Sequence, residues 1–194
     1  MPEVMSVTPI PIIMKFNVEL IGLGAVIGTT VLDSSNAKAQ TANAVAQELQ
    51  KGNAEPEYFE VLKGHHAAMH LAVKEARKTV GRFIAALEHP APGQEDFEVK
   101  KPFIQGHQVE HIWLSDVRFV GDLFQGRIDN QPRKIAGLKI GEMASVKPNE
   151  ISDWLYIENG KLVGGYTVRV HYNELSPQQK QEFDRRADFR IEKP

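Results

Sequence analysis

The dipeptide Asn159-Gly160 constrains this chain more than any other pair of residues. It sits between two alternating runs in the stretch Asp153 to Tyr172, DWLYIENGKLVGGYTVRVHY. A two-residue type I′ turn needs positive φ at both central positions, and Asn followed by Gly supplies it at least steric cost. Placing Glu158 opposite Lys161 sets the register: Ile157 meets Leu162, Tyr156 meets Val163, Leu155 meets Gly164 and Trp154 meets Gly165. Opposed residues share a face, and faces alternate along each strand. Leu155, Ile157, Leu162, Tyr166, Val168 and Val170 are therefore expected on a core face. Trp154, Tyr156, Val163, Gly165, Thr167, Arg169 and His171 fall on the other, amphipathic face. Gly165 opposite Trp154 leaves space for the indole to cross neighbouring backbone.

The remaining architecture follows from periodicity and punctuation. From His65 to Glu88, Met69, Ala72, Val73, Ala76, Val80, Phe83, Ile84 and Leu87 recur at three- and four-residue steps, which predicts a helix. Pro90 and Pro92 end it. Strands are expected over 97–104, 108–119, 123–128 and 142–147, with Pro102 restricted to an edge or bulge because it cannot donate to a ladder. Ser176-Pro177-Gln178-Gln179 opens a last helix with an N-cap serine, proline at the first helical position and a capping-box glutamine. The expected fold is α+β. A mostly antiparallel sheet of about five or six strands carries one long N-terminal helix packed on it and a short C-terminal helix.

Charge and composition narrow the function classes. A formal net charge of −2 offers no electrostatic case for nucleic acid. With no cysteine, disulfides, thiolate metal sites and Cys nucleophiles are excluded. No phosphate-binding glycine loop, nucleophile elbow or dinucleotide fingerprint is present, and no cofactor is expected.

The first 39 residues have the order of a secretory signal peptide behind a short extension. Met14-Lys15 opens a charged segment, Leu20 to Leu32 is apolar, and Ala37-Lys38-Ala39 has the form of a cleavage site. The apolar run is shorter than the roughly 20 residues of a membrane span. A periplasmic or secreted protein is expected, with no membrane span in the mature chain. A buried N-terminal helix or strand would instead leave it cytoplasmic. Residues 40–64 are polar and broken by glycine and proline, which predicts a linker.

Several motifs could carry chemistry. His107-Gln108-Val109-Glu110-His111 fits a zinc-hydrolase pattern that requires a helix. On a strand the two histidines stand about 13 Å apart, at roughly 3.3 Å per residue, too far to share an ion. No metal site is expected; His107 and His111 are the alternative, and His66 and His70, four apart on the first helix, lack a third ligand. Glu110, His111 and Asp153 form the hydrolytic alternative. The preferred site is a binding surface of Trp154, Tyr156 and Arg169, joined by His111, Trp113 and Asn130, for a protein, peptide or small polar ligand.

The runs FEVKKPF, EHIWLSDVRFVGDLFQGRIDNQP and ISDWLYIENGKLVGGYTVRV resemble the YegJ-like family of bacterial domains, domain of unknown function 2314. The resemblance spans roughly 65–192. It implies a small bacterial domain and matches Glu110, His111, Trp113, Asn130, Pro132, Asp153, Trp154 and Gly165 to motif positions, without assigning an activity.

Overall fold

A computed structural model describes residues 56–192, with side chains from Gly64 onward. The expected leader over 1–39 lies outside the described residues, as does most of the expected linker. Residues from Met69 onward form one compact unit; of the other, residues 22–68, the described part is the start of a helix.

Helix α1 (Pro56–Glu88) precedes strands β1 (Gln94–Gln105), β2 (Gln108–Val120), β3 (Leu123–Ile128), β4 (Met143–Val146), β5 (Asp153–Glu158) and β6 (Lys161–Gly164). Helices α2 (Tyr166–Glu174) and α3 (Pro177–Arg186) close the chain. The strands form one six-stranded sheet in the order β4-β3-β2-β1-β5-β6, antiparallel throughout. The α+β expectation holds. Helix α1 starts at Pro56, inside the expected linker, where proline suits a first helical turn.

The Asn159-Gly160 turn forms with φ of 51° and 73°, and β5 pairs with β6 in the expected register from Glu158↔Lys161 to Leu155↔Gly164. Its two faces lead into two separate cores. Trp154 and Tyr156 join Ala76 and Phe83 of α1, with Val99, Ile112, Leu114 and Phe124 of the sheet. Leu155, Ile157 and Leu162 join Trp113, Leu175, Phe183 and Phe189. Ser176 caps α3 as expected, its Oγ accepting from Gln179 N–H while Gln179 Oε1 accepts from Ser176 N–H.

The expected second strand does not run to Tyr172. It ends at Gly164, and Tyr166 to Glu174 is helix. Gly164 and Gly165 both take the left-handed conformation, φ 70° and 60°, which turns the chain out of the sheet. The glycine under the indole is Gly164, not Gly165: a Cβ there would press on the Trp154 ring and carbonyl.

Pro102 sits well inside β1 in sequence yet breaks no ladder. Lys100 C=O accepts from Ser152 N–H at 2.7 Å, and the last β1–β5 pair is Lys100↔Asp153. Two residues on, alternation points the Pro102 nitrogen to that same side, where β5 has already ended.

Candidate functional site

The expected binding surface is not on the surface. Trp154 is 0% exposed and Tyr156 2%. The indole Nε1 donates to Ala76 C=O at 2.9 Å; the Tyr156 ring stacks on both Trp154 and Phe97, and Phe83 packs tilted against the indole in the α1 core. Arg169 is spent on backbone: it donates to Gly164, Leu162 and Glu192 carbonyls at 2.9, 2.7 and 2.9 Å. Helix α2 turns the guanidinium back across the end of β6. The sequence pattern misplaces this face because large aromatics beside polar residues in a strand read as half-exposed; the covering helix is set by sequence far away.

The other expected site residues are placed as follows. Trp113 is buried in the second core, and its N–H donates to Asn130 Oδ1 at 2.8 Å. His111, exposed on β2, hydrogen-bonds Ser152 Oγ through Nδ1 at 2.5 Å. Glu110 is buried and its carboxylate accepts from the N–H groups of Arg133, Lys134 and Ile135, at 2.8 to 3.2 Å. Asp153, 0% exposed, accepts from Trp154, Tyr166 and Thr167 N–H and from Thr167 Oγ1 at 2.6 to 3.1 Å. Burial raises its carboxyl pKa, and the Thr167 hydroxyl, Lys100 charge and backbone donors oppose that rise. Glu110 thus fixes the turn after β3, and Asp153 satisfies the first N–H groups of α2. These two carboxylates serve different loops. His107 lies in the turn before β2, so the H-x-x-E-H run is not helical and does not present paired imidazoles.

A different set of residues comes together where the sheet opens. Pairing of β1 with β2 runs only from Gln105↔Gln108 to Val99↔Leu114. Beyond that point β1 follows β5 and β2 follows β3. Each strand carries a bulge at the parting, between Glu95 and Glu98 on β1 and between Ser115 and Arg118 on β2. The bulge residues Asp96 and Asp116 take positive φ, 54° and 50°, which Asp tolerates better than most side chains. On β2 the extra residue exchanges the faces, so Val117 joins the α1 core on the side of Ile112 and Leu114. Simple alternation along the expected 108–119 strand would instead put Val117 on the face of Trp113 and Ser115.

The parted strands frame a cleft of about 840 Å³ lined by Leu87, Phe97, Val117, Gln125 and Met143 together with Asp96, Glu98, Ser115, Asp116, Arg118 and Arg127. Glu98 in its wall and Asp129 after β3 are each 2% exposed. Glu98 Oε2 and Asp129 Oδ2 are buried without a hydrogen-bond partner among the described residues. Burial pushes the Glu98 carboxyl well above the usual range, and the charges of Asp129 and Asp96 push it further. Burial raises Asp129 to about 6, against the Ser115 hydroxyl, which holds it down, and with Asp116, which adds to the rise. Both carboxyls hold their protons to higher pH than ordinary ones, and once ionised they can accept hydrogen bonds from whatever enters.

Sequence reasoning missed Glu98, Ser115 and Asp129. Glu98 between Phe97 and Val99 reads as the solvent side of an alternating strand. The available signal was Asp96 and Asp116, since aspartate is disfavoured in strand interiors and marks a bulge when it occurs there.

Residues 66–190 match a bacterial family described as "Uncharacterized protein conserved in bacteria (DUF2314)". The chain is 36% identical over 101 residues to Uncharacterized protein YegJ of Escherichia coli, covering 52% of this chain and 65% of that one. It is 32% identical over 90 residues to a Neisseria meningitidis serogroup B protein whose name describes it as an ankyrin repeat protein, covering 44% of this chain and 36% of that one. The matches thus span less than two thirds of either relative's length. No solved structure matches. The match over 66–190 takes in the whole sheet, both parted strands and the cleft between them, and the chain belongs to the DUF2314 family.

Proposed function

We propose that this domain is a non-catalytic binding module for a small polar ligand, and that the ligand occupies the cleft between the parted ends of β1 and β2. The observation that carries the reading is Glu98: a carboxyl 2% exposed, with one oxygen unpartnered, in the wall of an open cleft. Leaving a buried acceptor unsatisfied costs about 1–3 kcal/mol, which a ligand donor would recover. The apolar floor of Leu87, Phe97 and Val117 supplies contact area, and the polar wall supplies orientation. A protein or peptide partner on the Trp154/Tyr156/Arg169 face has lost its support, because those rings are buried. Hydrolysis by Glu110, His111 and Asp153 is weakened by the commitment of both carboxylates to backbone N–H groups.

A library of small polar fragments, screened by amide chemical-shift mapping on the full chain, tests this. Binders should shift the signals of residues 96–98 and 115–118. A screen whose hits all map elsewhere, or that yields none, sinks the reading.

A further inference from the structure

The geometry points to a ligand bearing a protonated primary amine, its ammonium seated between Glu98 and Asp129. The inference rests on the cleft being the binding site and adds the chemistry of what it holds. Glu98 Oε2 and Asp129 Oδ2 are acceptors that come from two different segments, β1 and the turn after β3, and neither has a donor among the described residues. An ammonium offers three donors on one compact centre, so it can serve both oxygens at once; a planar guanidinium matches the paired oxygens of a single carboxylate better. Charge points the same way. Asp96, Glu98 and Asp116 line the cleft, with Asp129 beside Glu98, against Arg118 and Arg127.

Two of the cations nearby have partners of their own. Arg127 lies 3.7 Å from Asp116 and donates to Gly141 C=O at 3.0 Å. The Lys100 ammonium stands 5.3 Å from the centre of the Trp113 ring. A metal ion is a poorer fit than an amine: among the described residues, no three carboxylates around the cleft gather within 4.8 Å of one another.

The proton balance follows. Glu98 is pushed toward its neutral form by burial and by its acidic neighbours. Where Glu98 carries its proton, seating an ammonium against it breaks the carboxyl O–H, releases that proton to solvent and leaves a carboxylate paired with the ammonium. Affinity should therefore rise with pH as Asp129 ionises near 6, and protonation of Glu98 opposes binding in the same direction. The groups acting on these two carboxyls are Asp96 on β1 and Ser115 and Asp116 on β2, with Arg118 and Arg127 also lining the cleft.

The test titrates the full chain with 1,4-diaminobutane and, separately, with the neutral 1,4-butanediol, following the amides of 96–98 and 115–118. The expected result is a response to the diamine alone. Its affinity should increase several-fold between about pH 5.5 and about pH 7.5 and fall about tenfold in Glu98→Gln, the loss of one charge-assisted hydrogen bond. Should Glu98→Gln fail to fold by circular dichroism, Asp129→Asn replaces it, and the pH dependence of the wild type needs no variant. Equal responses to diamine and diol overturn the amine while leaving the cleft as a binding site. Diamine shifts confined to exposed acids such as Asp184, or no response to either compound, also overturn it; the fragment screen judges the cleft independently.

Discussion

Asp129 shows how one side chain can report on the cleft without any ligand. Its folded pKa of about 6 lies above its ordinary value of 3.8, so the folded state binds the proton more tightly than the unfolded chain does. The stabilisation this provides is complete below about pH 4 and is lost as pH rises through about 6. Asp129→Asn cannot ionise, so its melting temperature should vary less with pH across that window than the wild type's. Thermal melts at half-unit pH steps check this; parallel curves for the two proteins would mean that Asp129 is not held in the raised state. None of this is visible in the sequence, where Asp129-Asn130-Gln131-Pro132 reads only as turn chemistry. Asn130 and Asp129 instead dock back onto β2, the first through its side chain to Trp113 N–H and the second through its own N–H to Trp113 C=O.

Among the elements, the junction from β5 through β6 to α2 separates what local pattern decides from what it does not. The hairpin was legible because Asn159-Gly160 is a local conformational demand, met by two residues whatever surrounds them. The run YTVRVHY was not. Its alternating β-branched residues suit a strand, and its nine-residue span in the structure is too short to be a stable helix alone. Two left-handed glycines break the strand, and Asp153 on β5 then accepts the N–H groups of Tyr166 and Thr167 that a new helix leaves unpaired. Asp153→Ala should cost about 3 kcal/mol, because it strands those donors in a buried place. Urea unfolding measures the loss, and a change below about 0.5 kcal/mol would show that α2 does not depend on this carboxylate. The Ser176 cap of α3 was legible because all its partners lie within the first turn.

At the scale of the whole molecule, the sheet separates two cores. Phe83 contacts Phe97, Phe124 and Trp154 on one face, and Phe183 contacts Tyr172 and Phe189 on the other. Phe83→Ala and Phe183→Ala should each cost about 3–5 kcal/mol. Lying in separate cores on opposite faces of the sheet, they should add to within about 0.5 kcal/mol. Denaturant melts of the single and double variants decide this; a large coupling energy would mean the two cores behave as one. The tail completes the second core, as Arg190 pairs with Gly160 and Leu162 backbone and brings Phe189 onto Phe183. Among the described residues no helix is long and apolar enough to cross a membrane.

By itself the sequence determined the helix before the sheet, the hairpin and its register, the last helix and its cap, and the two-sided character of β5. Each of these follows from residues within a few positions of one another, where backbone preference and periodicity act directly. Only the tertiary structure decided which apolar face would be covered and by what, where β1 and β2 part, and that Glu98 and Asp129 are both held out of water. Those outcomes depend on contacts between separate segments of the chain, and whether a carboxyl is solvated is settled by what packs over it, not by its neighbours in the chain.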